Sequence, residues 1–244
     1  MFKLAVSLIA LALLFCAQPA SAFVPDDEEL AALLQKSYGP LASWEADVTF
    51  PGHYGVSVNV NFARGKWRQE WRAGDTAVGV GQAGSVIAAC TADGFALSPL
   101  FVWMVPDPLT AWRSWGVDCA IRSYGFCGDA PCIMLGAEPG DDRTPAVHLD
   151  NEDMAPLLVR YAVDGKRISV AYSDYKTLGG YRVPQKVLLT VDGETLEMSV
   201  KWKSVMKADG EELYARDSVP PVPCAEPPAP FAFLRDNFRY PSIR

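Results

Sequence analysis

The chain has 244 residues, half of them apolar and 21% charged, a balance that marks a globular rather than a disordered protein. Its 22 Lys and Arg against 29 Asp and Glu give a net charge of −7, which argues against a nucleic-acid binder that must displace counterions with a basic stripe. The length fits one domain, or one domain with additions.

Residues 1–22 read as a signal peptide. Lys3 supplies the positive n-region, 4–15 the apolar h-region, and Ala20-Ser21-Ala22 the small-residue cleavage site, so the mature chain would begin at Phe23. The apolar run is shorter than the ~20 residues a membrane span needs. Cys16 follows Phe15, where a lipobox requires a small residue, so lipidation is not expected. The expected location is the periplasm, with no transmembrane segment in the mature chain.

Residues 24–38 carry the helical period. Pro25 and Asp26 stand at the start, Glu28 and Glu29 favour the positive end of the dipole, and Leu30, Leu33, Leu34 and Tyr38 recur on one face. Gly39-Pro40 ends the helix. The period then changes to two. In Trp-Glu-Ala-Asp-Val-Thr-Phe (44–50) every even position is apolar, and Tyr54, Val56, Val58, Val60 and Phe62 alternate with small or polar residues. A third run sets Trp67 and Trp71 against Arg68, Glu70 and Arg72. Residues 76–81 and 84–91 add a fourth and a fifth strand to an antiparallel meander with one wet face.

An apolar stretch over 98–116 interrupts the meander and contains Leu100, Phe101, Trp103 and Met104, then a helical segment with Trp112 and Trp115. A cysteine-rich insert at about 117–135 follows. Strands resume at 146–149. Two further pairs, 157–163 with 167–173 and 185–191 with 195–204, flank Asp164-Gly165 and Asp192-Gly193, the strongest short-range hairpin signal. Gly179-Gly180 turns the chain between these hairpins, and 211–216 reads as a last strand. Between 219 and 230 six prolines stiffen the chain, and Phe231, Phe233, Phe238 and Tyr240 form an aromatic tail expected to dock.

The domain reading is therefore a leader (1–22), a β-rich domain (23–218) and a Pro-rich linker with its tail (219–244). The fold class is α+β. A curved antiparallel sheet of about 10–11 strands curls because strand twist accumulates. It forms an incomplete half-barrel, covered by the N-terminal helix and a central apolar helix.

Five cysteines follow the leader: Cys90, Cys119, Cys127, Cys132 and Cys224. An exported chain makes disulfides the default, and an odd number leaves at least one thiol unpaired or bridging to another chain. The cluster from Cys119 to Cys132 reads as a stapled loop, and Cys224 is placed to staple the tail. Zinc would need a fourth ligand and tighter spacing than Cys127-x4-Cys132 provides, so neither metal nor cofactor is expected. His53 and His148 are the only histidines. No nucleophile elbow, metal-binding His pair or phosphate-cradling Gly loop is present, so no catalytic residue is assigned and no enzyme is expected. The enzymatic alternative would use the cysteine cluster or His148.

The order of helix, Trp-Glu-Ala-Asp-Val-Thr-Phe strand, Gly-Lys-Trp-Arg-Gln-Glu-Trp (65–71), Ala-Val-His-Leu-Asp (146–150), Asp-Tyr-Lys-Thr-Leu-Gly-Gly-Tyr-Arg-Val-Pro (174–184) and Lys-Trp-Lys-Ser-Val (201–205) resembles the LolA/LolB superfamily of periplasmic lipoprotein carriers. The resemblance covers about 26–216, and the cysteine insert and tail stand outside it. It implies a half-barrel whose apolar cavity shelters acyl chains. Trp44, Val48, Phe50, Val58, Val60, Phe62, Trp67 and Trp71 would line that cavity. Leu100, Phe101, Trp103, Met104, Trp112 and Trp115 would form the lid. The plainer alternative is that the same residues simply pack. The expected partner is an acyl chain, lipid or lipoprotein. The alternative is an envelope protein bound by the tail, with the barrel filled and the chain serving as an interaction or assembly module.

Overall fold

The computed structural model describes residues 24–206 and 210–241, so the expected leader lies outside the described residues. Helix α1 (Asp27–Tyr38) starts where the sequence supplies a capping box. The Asp26 carboxylate accepts from the Glu29 N–H at 2.9 Å, and the Glu29 carboxylate accepts from the Asp26 N–H at 3.3 Å. Leu30, Leu34 and Tyr38, four apart, are the buried stripe, while Leu33 sits at its margin. The first turn is also tied to the body, because the Asp27 carboxylate accepts from both Arg113 and Arg122.

Five strands follow as a meander: β1 (Ser43–Thr49), β2 (Ser57–Ala63), β3 (Lys66–Ala73), β4 (Asp75–Gln82) and β5 (Ser85–Ala89). The chain crosses the sheet's inner face through a 3-10 turn (Pro99–Val102) and helix α2 (Pro108–Ser114), then builds β6 (Arg122–Cys127), β7 (Ala130–Leu135), β8 (Ala146–Asp150), β9 (Pro156–Val163) and β10 (Lys166–Ser173). A separate hairpin pairs β11 (Lys176–Leu178) with β12 (Tyr181–Val183) around Gly179-Gly180. The last strands are β13 (Lys186–Val191) and β14 (Glu194–Val205), and helix α3 (Phe231–Asn237) lies in the tail.

Twelve strands form one antiparallel sheet in the order β5-β4-β3-β2-β1-β14-β13-β10-β9-β8-β7-β6. The long final strand β14 joins the halves, with Trp44 opposite Val205 and Val48 opposite Val200. Among the described residues β5 and β6 remain unpaired edges, so the sheet is not closed into a barrel. This is the predicted α+β half-barrel, extended at one edge. The alternating strands put Trp44, Ala46 and Val48 on the buried face. Glu45 and Asp47 face Lys203 on the other side, at 3.2 and 2.9 Å. Burial alone would raise the Asp47 carboxyl, but hydrogen bonds from Lys203 and Asn59 outweigh it and hold it below the usual range.

Three local expectations are corrected. Residues 211–216 are not a strand: the chain forms 3-10 turns at Glu211–Tyr214 and Arg216–Ser218. The buried Arg68 guanidinium fixes them by donating to the Ser218 hydroxyl at 2.8 Å and its carbonyl at 3.1 Å. The cysteine insert is not a loop. It is the β6–β7 hairpin that extends the sheet, with Cys132 opposite Gly125. Its Gly and Pro residues hid the alternation. The central apolar cover is not one helix either: Pro106 and Pro108 divide it into the 3-10 turn and the two-turn α2.

Two glycines make the inner packing feasible. A Cβ on Gly81 would lie 2.2 Å from the Trp67 ring, and one on Gly79 would lie 2.7 Å from the Phe95 ring. The sheet therefore gives up side chains on β4 so that two aromatic rings can lie directly on its backbone.

Candidate ligand cavity

The concave face is largely occupied by the protein itself. Phe101 enters from the 3-10 turn and stacks on Trp67 at 5.5 Å, with Trp44 and Phe62 each 6.2 Å away. Trp103 packs on Trp202 at 5.0 Å and edge-on to Tyr38 at 5.7 Å. At the other end the tail inserts Phe231, which meets Trp71 at 5.1 Å and Phe95 at 5.6 Å. The tail is fastened by a disulfide from Cys224 to Cys90, and its Leu234 and Phe238 are buried as well.

An apolar space lies between α1, the start of β1, the end of β2 and the 104–109 segment. Its volume is about 520 Å³, within the range of small-molecule sites. Leu34 and Tyr38 wall it from α1, Trp44 and Phe62 from the sheet, and Met104 and Leu109 from the covering segment. Arg64, exposed in the β2–β3 turn, stands at its rim. The Tyr38 phenol donates to the Arg182 carbonyl at 2.8 Å, and burial, with the charge of Asp153, pushes its pKa upward, so it stays neutral. Among the described residues the buried indole N–H groups of Trp44, Trp71, Trp112 and Trp115 have no acceptor. Of these, only the Trp44 side chain lines this space.

Of the sequence-predicted lining residues, the structure brings Trp44 and Phe62 to this cavity. Val48, Phe50, Val58, Val60, Trp67 and Trp71 lie deeper in the core. Of the predicted lid, Met104 reaches the cavity. Leu100, Phe101 and Trp103 plug the concave face, Trp112 is fully buried in α2, and Trp115 packs on Tyr161 and Tyr240. Sequence reasoning did not assign Leu34, Tyr38 or Leu109 to a site. The α1 stripe that carries the first two was visible, but a stripe does not tell packing from lining.

The cysteines pair as Cys90 with Cys224 and Cys127 with Cys132. Cys119 is free and buried, and burial raises its thiol pKa. Among the described residues no helix is long and apolar enough to cross a membrane.

No family model and no curated protein matches the chain. Solved structures do. A LolA superfamily protein from Nitrosomonas europaea matches at 8% identity and a TM-score of 0.45, over 80% of this chain and 100% of that one. A Vibrio parahaemolyticus domain, provisionally assigned to outer membrane lipoprotein sorting, matches at 9% identity and a TM-score of 0.44, over 79% of this chain and 99% of that one. A DUF1329 family protein from Desulfovibrio piger matches at 10% identity and a TM-score of 0.38, over 79% and 98%. At these identities the likeness concerns the fold alone.

Proposed function

We propose that this chain is an exported carrier that shelters one acyl chain of a lipid or lipoprotein, by sequestration and without chemistry on the ligand. The observation that carries this reading is the apolar cavity of about 520 Å³ beside the aromatic plug of residues 100–104. Burying a methylene is worth ~0.8 kcal/mol, so a dozen or so provide on the order of 10 kcal/mol. That is enough to offset the displacement of Phe101 and Trp103, each worth ~2–3 kcal/mol of burial. The orphan Trp44 N–H and the Arg64 guanidinium suit an amphiphile with a carbonyl or carboxylate at its head. Two disulfides fit an oxidising compartment, in keeping with export to the periplasm and cleavage after Ala22.

A second reading has an observation of its own. The concave face is filled by the chain's own aromatic rings, as an envelope interaction or assembly module would require. The tail's Phe231 and Phe238 are buried, so a partner would meet only the tail's exposed residues. Native mass spectrometry of protein extracted from cells, with titration of a fluorescent fatty acid, separates the two. The carrier reading expects an extra lipid mass and saturable uptake of one probe per chain. A ligand-free mass together with no uptake overturns it and leaves the module.

A further inference from the structure

The β6–β7 hairpin holds a group of residues that ligand carriage does not use. Cys127 and Cys132 close a disulfide across only five positions of sequence, whereas Cys90 and Cys224 are 134 apart. A ring this small removes little freedom from the unfolded chain, and the strands it joins are already paired from Arg122 with Leu135 to Cys127 with Ala130. The bond therefore adds less to the hold of the fold than Cys90–Cys224 does. Its two sulfurs are also unequal. Cys132 is fully buried, while Cys127 is only partly buried, on the sheet's free edge. The Nδ1 of His148, on the neighbouring strand β8, lies 3.5 Å from the Cys127 sulfur. The adjacent Phe126 is 74% exposed, an apolar foothold for an incoming peptide.

We propose that the Cys127–Cys132 pair is a thiol–disulfide exchange site, served by His148, that passes its disulfide to a cysteine pair of another protein. The asymmetry sets the order of steps. A substrate thiolate attacks the accessible Cys127 sulfur, the Cys127–Cys132 bond breaks, and Cys132 leaves with the bonding pair and takes up a proton. The second substrate thiolate then attacks the substrate sulfur of the mixed disulfide. Cys127 leaves with that pair as a thiolate that accepts a hydrogen bond from the Nδ1–H of His148 and takes its proton from solvent. The substrate loses two electrons and two protons and becomes a disulfide, and the hairpin gains both and becomes a dithiol. A further disulfide compound returns it by the reverse steps. Burial and the nearby charge of Arg160 keep the imidazole neutral at pH 7, so its Nδ1–H can hydrogen-bond the Cys127 sulfur without the ring changing charge. This inference uses none of the residues of the acyl cavity.

The test is timed reduction of the oxidised protein by dithiothreitol at pH 7, with alkylation and mass spectrometry to follow each cysteine. Cys127 and Cys132 are expected to label about tenfold or more faster than Cys90 and Cys224 while the far-ultraviolet circular dichroism stays native. His148→Ala is expected to slow the opening as read at Cys127, whose release from the mixed disulfide loses its hydrogen bond, by about tenfold and to leave Cys90 and Cys224 unchanged. If both disulfides open together, or only on unfolding, or if His148→Ala opens as the parent does, the proposal fails. A second variant decides the matter should His148→Ala lose its fold. In Cys132→Ser the lone Cys127 thiol should attack an aromatic disulfide reagent faster than glutathione does, and an equal or slower rate overturns the proposal.

Discussion

Phe231→Ala tests whether the tail is part of the core. Phe231 is fully buried and makes edge-on contacts with Trp71 and Phe95. Truncating a buried phenylalanine costs about 3–5 kcal/mol, of which two aromatic pairs account for ~1–3 kcal/mol. The space left has little means of collapsing. Trp71 is pinned in β3, Phe95 lies against the Gly79 backbone, and the Cys90–Cys224 bond with Leu234 and Phe238 keeps the tail in place. A loss of about 4 kcal/mol is therefore expected. Urea unfolding followed by tryptophan emission measures it as a shift in midpoint at constant slope. Should the tail undock before the sheet melts, the emission of Trp71 shifts to the red below the main transition. A change smaller than about 1 kcal/mol, with native emission unaltered, would refute the reasoning, because a plug of this burial cannot be removed so cheaply.

Further expectations are independent of that one. Cys90→Ser with Cys224→Ser opens a loop of 134 residues and should cost about 4–5 kcal/mol on the chain-entropy picture; calorimetry should find a smaller cost for Cys127→Ser with Cys132→Ser. Gly81→Ala drives a methyl into the Trp67 ring and the Ser85 carbonyl and should lower stability by about 1–3 kcal/mol, read from a denaturant midpoint. Trp44→Phe keeps a ring on Phe62 but deletes the orphan N–H, so fluorescence titration should show a fatty acid bound less tightly and a plain alkyl probe bound equally well. His148 titrates at about 4 in the folded chain instead of 6.5, through burial and then the charge of Arg160. The unfolded chain therefore binds more protons between those values, and His148 costs stability as pH falls from about 6.5 to about 4. Its ring shifts in an NMR titration should stay those of the neutral form at pH 6.

Much of this architecture was legible because local chemistry and the final fold agree. Asp26 with Glu29 marks the start of α1, strict alternation from Trp44 to Thr49 marks β1, and Asp164-Gly165 and Asp192-Gly193 mark the turns of β9–β10 and β13–β14. What stayed hidden depends on distant partners. The turns at 211–218 depend on Arg68, some 150 positions away in sequence. The β6–β7 hairpin is a strand pair only because β8 offers an edge for Cys132 through Leu135. The division of apolar residues between packing and lining was also hidden. Trp44 and Trp67 occupy equivalent inward positions on their strands, yet Trp67 is covered by Phe95 and Phe101 while Trp44 faces a space beside α1.

A filled concave face and a carrier are compatible if the filling belongs to elements that leave without breaking the sheet. The twelve strands are held by ladders of backbone hydrogen bonds. The 3-10 turn of Pro99–Val102 is held differently. Among the described residues its backbone bonds are local, Phe101 to Ser98 and Trp103 to Leu100, and its link to the sheet includes a hydrogen bond from the Tyr172 hydroxyl to the Pro99 carbonyl at 3.2 Å. Moving it forfeits apolar contact and few polar bonds, and a hydrocarbon chain replaces apolar contact in kind. The tail lacks this freedom, since the Cys90–Cys224 bond anchors it at β4 and β5. Opening is therefore expected to begin at residues 100–109, which adjoin the cavity, with Phe231 remaining in place. Hydrogen exchange with and without a fatty acid distinguishes the two: protection should change at 100–109 and not at 231–238, and the reverse pattern would assign the gate to the tail.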